Sequence, residues 1–203
     1  MTDERLPIAY LPGASGRGSV FRAVAERLGR RRPSLLVDYP GLSDVPLDPS
    51  IESLSDLTTW VANQIPDRVD VVSLSAGCAV ALRLALAFPA AVRRLVLVTA
   101  ASGVDARRFG GVDFRPGFLK RRPKAPRWFL DDDVDLTDRL GDVKAPTLLV
   151  FGERDLVAPP AVGEHLARHL PSARLEVLPG GTHDLEAEFP DELAALVERH
   201  LRG

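Results

Sequence analysis

The sequence contains little cysteine and no long apolar run. Its 203 residues include one cysteine, Cys78, so neither an internal disulfide nor a cluster of thiolate metal ligands can form. No run of about 18 apolar residues could span a bilayer, and the N-terminus lacks the basic and apolar segments of a secretory signal. We therefore predict a cytoplasmic protein in a reducing compartment, with no membrane partner.

A strong charge of either sign is also missing. The 26 lysines and arginines nearly balance the 28 aspartates and glutamates, which leaves a net charge of -2. This balance gives no general attraction for nucleic acids, so we predict no nucleic-acid partner. The composition, with 45% hydrophobic residues, is that of a globular protein. Because one hydrophobic core can support this length, we predict a single domain over residues 1–203 and leave its oligomeric state open.

Short apolar runs alternate with helix-like segments along the chain. The runs predict strands at 8–11, 34–37, 69–73, 95–99, 147–151 and 175–178. Apolar residues at three- and four-residue spacing predict helices at 19–28, 54–65, 76–88, 161–169 and 185–201. Strands that are apolar on both faces and alternate with helices indicate a parallel sheet covered on both sides. We therefore predict an α/β fold with a doubly wound, mostly parallel sheet of about six strands.

The segment 100–145 interrupts this alternation. It is rich in glycine, proline and arginine and contains no clear strand. Long connections of this kind inside compact domains are usually functional lids or disordered segments.

The first chemical signal is Ser75, in Ser73-Leu74-Ser75-Ala76-Gly77. An apolar strand, a tight turn of small residues and an alanine-rich helix follow one another here. A serine on such a sharp turn projects its hydroxyl beyond the sheet edge, and the free N–H groups at the start of the helix can stabilise an oxyanion. The alternative is that Ser75 only caps the helix.

An acid and a histidine follow in the order Ser, Asp, His. Asp155 lies in the turn after the strand 147–151, with Glu153 as the nearest rival acid, and His183 follows a glycine pair just before the last predicted helix. Asp155 could instead cap the next helix, but the order of the three residues is that of a nucleophile-elbow hydrolase. His165 and His169 have a spacing that could bind a metal, yet no third ligand accompanies them. We expect these two to be solvated helix residues.

Together these motifs resemble the α/β-hydrolase superfamily. The turn around Ser75 is similar to the family's Gly-x-Ser-x-Gly elbow, with Ser73 in place of the first glycine. The loop Pro12-Gly13-Ala14 is similar to the family's His-Gly-x loop, with Pro12 in place of histidine. The resemblance runs from Ile8 to Leu201. Too few residues precede Ile8 for the first two strands of the family, so we expect those strands to be missing.

The resemblance implies a site and a reaction. Ser75, His183 and Asp155 would form a catalytic triad, and the backbone N–H groups of Ala14 and Ala76 would form the oxyanion hole. No metal or cofactor is implied, and a short cap falls at about 100–145. The substrate would be a carboxylic ester or thioester of a small to medium acyl group, cleaved through an acyl-enzyme. Carbon–carbon bond hydrolases, lactonases and low-turnover small-molecule receptors with this fold are the alternatives.

The cap segment also contains a basic stretch. Between Asp105 and Arg127 there are eight basic residues and two acidic ones. One interpretation is a solvated surface balanced by the acidic residues 131–133. The other is a docking site, including Arg121 and Arg122, for an anionic carrier such as a phosphopantetheine thioester.

Overall fold

Six strands form one parallel sheet at the centre of the molecule, which is a computed structural model that describes residues 6–29 and 32–203. Every neighbouring pair is parallel, and the strand order is β2-β1-β3-β4-β5-β6. This confirms the predicted sheet. The strands are β1 (Ile8–Leu11), β2 (Ser34–Leu36), β3 (Val69–Leu74), β4 (Val92–Val98), β5 (Thr147–Gly152) and β6 (Ala173–Leu178).

The central strands are apolar on both faces because each face is covered. In β1, Ile8 and Tyr10 enter one hydrophobic core while Ala9 and Leu11 enter the other. All six residues of β3 are buried. The period of two along a strand places alternate side chains on opposite faces, so a continuous apolar run is what two cores require.

Helices pack on both faces, which confirms the doubly wound arrangement. The first and last helices contribute to one core, and the second, third and sixth contribute to the other. None of the helices within the described ranges is both long and apolar enough to cross a membrane. The helices are α1 (Arg22–Leu28), α2 (Leu54–Gln64), α3 (Gly77–Ala87), α4 (Arg115–Arg121), α5 (Arg127–Leu130), α6 (Pro160–His169), α7 (Leu185–Glu188) and α8 (Pro190–Arg202).

The predicted helix 185–201 is in fact two helices, α7 and α8. The break falls at Phe189, whose backbone leaves the helical region at φ -129° and ψ 50°. Pro190 follows and begins α8. Proline disfavours the helical conformation of the residue before it and has no N–H to donate back to the preceding turn.

The strand order reverses direction at β1, because the chain passes from β2 across β1 to β3. In open parallel sheets the loops beyond the carboxyl ends of the strands next to such a point form the binding crevice. The loop after β1 and the turn after β3 meet there. No strand precedes β1 within the described residues.

The segment 100–145 is built from short helical pieces. It contains 3-10 turns at Ala106–Phe109 and Thr137–Asp142 in addition to α4 and α5. Phe118 and Phe129 are buried and join the core on the α3 side of the sheet. The segment is therefore folded against the sheet; its function as a lid stays a prediction.

Candidate active site

Ser75 lies on a strained turn between β3 and α3. Its φ is +52°, a left-handed conformation that non-glycine residues rarely adopt. Three backbone bonds hold it there: Ser75 N donates to Val98 O at 2.9 Å, and Ser75 O accepts from Cys78 N at 3.0 Å and from Ala101 N at 3.4 Å. Strain of this kind persists only where the surrounding structure imposes it, and it concentrates at functional sites.

The neighbours of Ser75 are small because the turn packs against the loop after β1. A Cβ on Gly77 would lie 2.2 Å from the carbonyl oxygen of Pro12, so no other residue fits without moving one of the two segments. The departure at Ser73 is accommodated, since its buried hydroxyl donates to Val96 O at 3.1 Å. The elbow is therefore intact despite the missing first glycine.

The structure brings the three predicted side chains into one hydrogen-bonded chain. His183 Nε2 lies 2.8 Å from Ser75 Oγ, and His183 Nδ1 lies 2.8 Å from Asp155 Oδ2. Asp155 is almost fully buried, and its Oδ1 accepts bonds from the backbone N–H groups of Val157 and Ala158. These bonds fix the carboxylate, which in turn fixes the histidine ring.

The rival acid Glu153 has a different position. Its Oε2 accepts a bond from Gly180 N at 2.8 Å, so it braces the loop that carries His183. Two further contacts support that loop: Glu188 accepts bonds from the N–H and the hydroxyl of Thr182, and Thr99 Oγ1 donates to His183 O. Sequence reasoning missed Thr99 and Glu188, since both contacts depend on the folded arrangement of β4 and α7.

The two predicted oxyanion donors lie beside Ser75. Gly13 approaches Ser75 so closely that a Cβ on it would be 3.1 Å from Ser75 Cβ, which places Ala14 at the same edge. Ala76 directly follows Ser75. Within the described residues, the backbone N–H groups of Ala14 and Ala76 donate to no other group of the protein. Unpaired donors next to a nucleophile are what an oxyanion hole needs.

A cavity of about 600 Å³ opens over Ser75 and His183. Phe114 and Phe118 from the cap segment form part of its wall, together with Arg121. This size suits a small molecule, and the aromatic lining suits an apolar chain.

Most basic residues of the cap are already engaged. Arg122 donates from Nη1 to Ser15 O at 3.0 Å and also to Leu42 O, so it ties the cap to the loop after β1. Four more arginines pair with acids of the same segment: Arg107 with Asp105, Arg108 with Asp135, Arg115 with Asp133 and Arg127 with Asp131. Lys120, Arg121 and Lys124 are exposed and form no ion pair within the part of the chain that the structure describes.

Glu186, which the sequence analysis did not single out, also lines the cavity. Burial raises the pKa of its carboxyl group from 4.5 to about 7, and the nearby Asp184 and Glu188 carboxylates contribute to the same shift. Its Oε2 is buried and has no hydrogen-bond partner among the described residues.

The pair His165 and His169 lies away from this cavity on α6. His165 Nε2 is 2.9 Å from the hydroxyl of Thr137, and His169 Nδ1 is 2.8 Å from His165 O. Both rings are thus occupied in local contacts.

Comparison with known proteins supports one family. The family model described as "Alpha/beta hydrolase family" matches residues 8–142, a range that includes Ser75, Ala14 and Ala76. A pimeloyl-[acyl-carrier protein] methyl ester esterase from Nitrosomonas europaea is 26% identical, in a match that covers 93% of this chain and 92% of that protein. The serine hydrolase BPHL from Mus musculus is 27% identical over 96% of this chain and 79% of its own length.

A solved structure shows the same fold. A hydrolase from Pseudomonas aeruginosa superposes with a TM-score of 0.81 at 23% identity, and the match covers 98% of this chain and 91% of that one.

Proposed function

From the premise that this chain belongs to the α/β-hydrolase family, we propose that it hydrolyses a carboxylic ester through an acyl-enzyme formed on Ser75. Its curated relatives are esterases and hydrolases, which confirms the prediction of an enzyme of this type. The observation that carries the proposal is the continuous chain of contacts from Asp155 through His183 to Ser75, at 2.8 Å for each step.

In the first half-reaction, Ser75 Oγ attacks the carbonyl carbon of the ester while His183 Nε2 accepts the hydroxyl proton. Asp155 keeps the other proton on Nδ1 and stabilises the positive imidazolium that forms. The carbonyl oxygen becomes an oxyanion held by the N–H groups of Ala14 and Ala76, each contributing on the order of 3 kcal/mol. His183 then returns the proton to the departing alcohol, and the C–O bond to that alcohol breaks.

In the second half-reaction, water attacks the acyl-enzyme. His183 takes a proton from the water, the tetrahedral intermediate forms in the same oxyanion hole, and the proton passes to Ser75 Oγ as the acid leaves. No step requires a group beyond these residues and water.

The acyl pocket favours a small to medium chain. Its apolar wall includes Phe114 and Phe118, and its volume of about 600 Å³ accommodates a chain of several carbons. The name of the Nitrosomonas relative specifies a methyl ester as its substrate. We therefore propose an ester with a small alcohol group as the substrate of this chain, ahead of a thioester.

The test is turnover of p-nitrophenyl esters from acetate to octanoate by wild type, Ser75→Ala and Ser73→Ala, with fluorophosphonate labelling of each. We expect Ser75→Ala to lose at least about 10⁴-fold in kcat/KM together with all labelling, while Ser73→Ala keeps its label. Equal turnover by wild type and Ser75→Ala would refute the assignment of Ser75 as the nucleophile. Tight binding of an ester without turnover by wild type would favour a receptor.

The exposed cations Lys120, Arg121 and Lys124 support a docking site for an anionic carrier on the cap segment. Arg121 lines the cavity and has no ion-pair partner among the described residues, whereas Arg122 is held by two carbonyl groups. The name of the Nitrosomonas relative refers to an acyl-carrier protein, and an anionic carrier is the kind of partner that these cations would bind.

Arg121→Gln tests this docking site, with methyl esters attached to phosphopantetheine and with neutral methyl esters of equal length. We expect a several-fold higher KM for the anionic substrate alone. Lys144→Gln is the matched control, since Lys144 is exposed just before β5. It should change the KM of neither the anionic nor the neutral substrate. Arg122→Gln should lower kcat for both substrates because it releases the loop that carries Ala14. An equal effect of Arg121→Gln on both substrates contradicts the docking site.

A further inference from the structure

Glu186 is a buried acid beside the nucleophile that the proposed mechanism does not use. Only 7% of the residue is exposed, and it lines the same cavity as Ser75 and His183. A carboxyl oxygen that is buried without a donor destabilises a fold by roughly 1–3 kcal/mol, which a glutamine or a leucine would avoid more easily. Unsatisfied groups of this kind call for a functional explanation.

The charges around the cavity are distributed unequally. Asp184 and Glu186 line it on the side of His183, and Arg121 and Arg122 line it on the side of the cap. Arg122 is engaged with Ser15 O and Leu42 O, and no ion pair joins Glu186 to either arginine. An entering molecule therefore meets acidic groups on the side of His183 and basic groups on the side of the cap.

We propose that Glu186 is a specificity-determining residue, whose carboxyl group accepts a hydrogen bond from a hydroxyl or protonated amine of the substrate and disfavours a carboxylate at the same place. The proposal rests on the proposed function and deepens it by naming the class of acyl group. A donor on the substrate would satisfy the unpaired oxygen, and a protonated amine would gain more than a hydroxyl because the bond is charge-assisted. A substrate carboxylate would meet like charge in a site of low dielectric constant.

The raised pKa of Glu186 supports this assignment. A carboxyl group with a pKa of about 7 is ionised over the alkaline half of the physiological range, where it can bind a cation. The titratable groups near the Glu186 carboxyl group are His183, Asp184 and Glu188. Across the cavity, the cap side presents the charged groups of Arg121 and Arg122.

The test uses straight-chain methyl esters of equal length that carry a methyl, hydroxyl, ammonium or carboxylate group, moved from carbon 2 to carbon 6. At pH 8 we expect one position at which wild type prefers the ammonium ester over the methyl ester by about tenfold or more in kcat/KM and hydrolyses the carboxylate ester least. Glu186→Leu should abolish both preferences, and Glu186→Gln should keep part of the hydroxyl preference only.

Glu192→Gln is the matched control, since Glu192 is an exposed acid in the first turn of α8, and it should leave every preference intact. A second readout needs no turnover: calorimetry of Ser75→Ala with the corresponding amides should show the same tenfold difference in Kd, lost in Ser75→Ala/Glu186→Leu.

Two results overturn the proposal. In the first, no substituent position shows a preference that depends on Glu186. In the second, both Glu186 variants lose kcat/KM equally for all esters, which would make Glu186 a support for the His183 loop. Absence of ester turnover by wild type is a separate result. It refutes the proposed function, while the amide titration still decides the role of Glu186.

Discussion

The two ends of strand β3 differ in how completely their polar groups are paired. Asp70, near its start, is fully buried, and both of its oxygens accept bonds from Arg93, at 2.8 and 2.6 Å, while Arg32 also pairs with it. Ser75, just past its end, has a left-handed backbone. Next to it, N–H donors and a carboxyl oxygen of Glu186 find no partner among the described residues.

Within six residues, the chain thus passes from Asp70, whose bonds serve stability, to Ser75, which is the candidate for function. At the start of β3 the protein itself completes every bond of the buried charge, as a folded core requires. Under the proposed function, a substrate and its transition state would complete the bonds at the end of β3. Changes at the two ends should therefore separate cleanly into losses of folding and losses of turnover.

The largest expected effect is on catalysis, from Asp155→Asn. The amide would favour the wrong tautomer of His183, and the analogous change in other triads lowers kcat about 10⁴-fold. We expect unchanged circular dichroism and a loss of that size in ester hydrolysis. Glu153→Gln is the control because it removes the rival acid, which contacts Gly180 instead of His183. A comparable loss in that variant would contradict the assignment of Asp155.

At the other end of the strand, Asp70→Asn should destabilise the fold by about 3–5 kcal/mol, since breaking a buried ion pair leaves uncompensated charge. Urea unfolding would measure this, and kcat of the folded protein at low temperature should stay near that of wild type. Asp131→Asn breaks an exposed pair with Arg127 and should have no measurable effect on unfolding. If Asp70→Asn instead abolished turnover in a fully folded protein, the separation of the two ends would fail.

Glu186 should make the stability depend on pH in an unusual direction. Its pKa is raised from 4.5 to about 7 in the fold, so the folded state holds the proton more tightly than the unfolded state does. As pH rises from about 4.5 to above 7, the unfolded state ionises first and stability falls by roughly 1–3 kcal/mol. Glu186→Gln should therefore gain stability relative to wild type between pH 5 and pH 8 in urea titrations.

Glu188→Gln provides the opposite sign as a control. Bonds from Thr182 lower the pKa of Glu188, so its contribution to stability is present above its unfolded pKa and is lost as pH falls. This variant should be less stable than wild type at pH 8, and the difference should shrink on acidification. The same sign for both variants would contradict the contrast between the paired and the unpaired acid.

The smallest effect concerns the backbone of Ser75. Both Ser75→Ala and Ser75→Gly remove the Ser75 hydroxyl, but only glycine adopts a φ of +52° without strain. We expect the free energy of unfolding of Ser75→Gly to be about 1 kcal/mol higher than that of Ser75→Ala. Equal stabilities would indicate that the turn relaxes once the hydroxyl is gone.

The sequence was informative where the signal was local. Ser75, Asp155 and His183 each follow a strand of the parallel sheet, in the order that one fold requires, so strand, turn and residue type could be read together. The break at Phe189 had a signal as well, in Pro190, which the apolar spacing of 185–201 obscured. Glu186 had none, because its special character comes from burial against distant segments. The hydrogen bonds from Arg122 to Ser15 O and Leu42 O likewise depend on where α4 lies over the loop after β1.

The single thiol of the protein gives it a practical property. Cys78 is completely buried in α3, and this burial raises the pKa of its thiol to about 12. Its Sγ forms hydrogen bonds with Ser73 Oγ and Val98 O. A thiol that stays protonated and shielded is inert toward maleimides and disulfide reagents. A cysteine introduced at an exposed cap position such as Lys120 would therefore be the one reactive thiol of the chain, and a dye attached there would report cap movement without any need to replace Cys78.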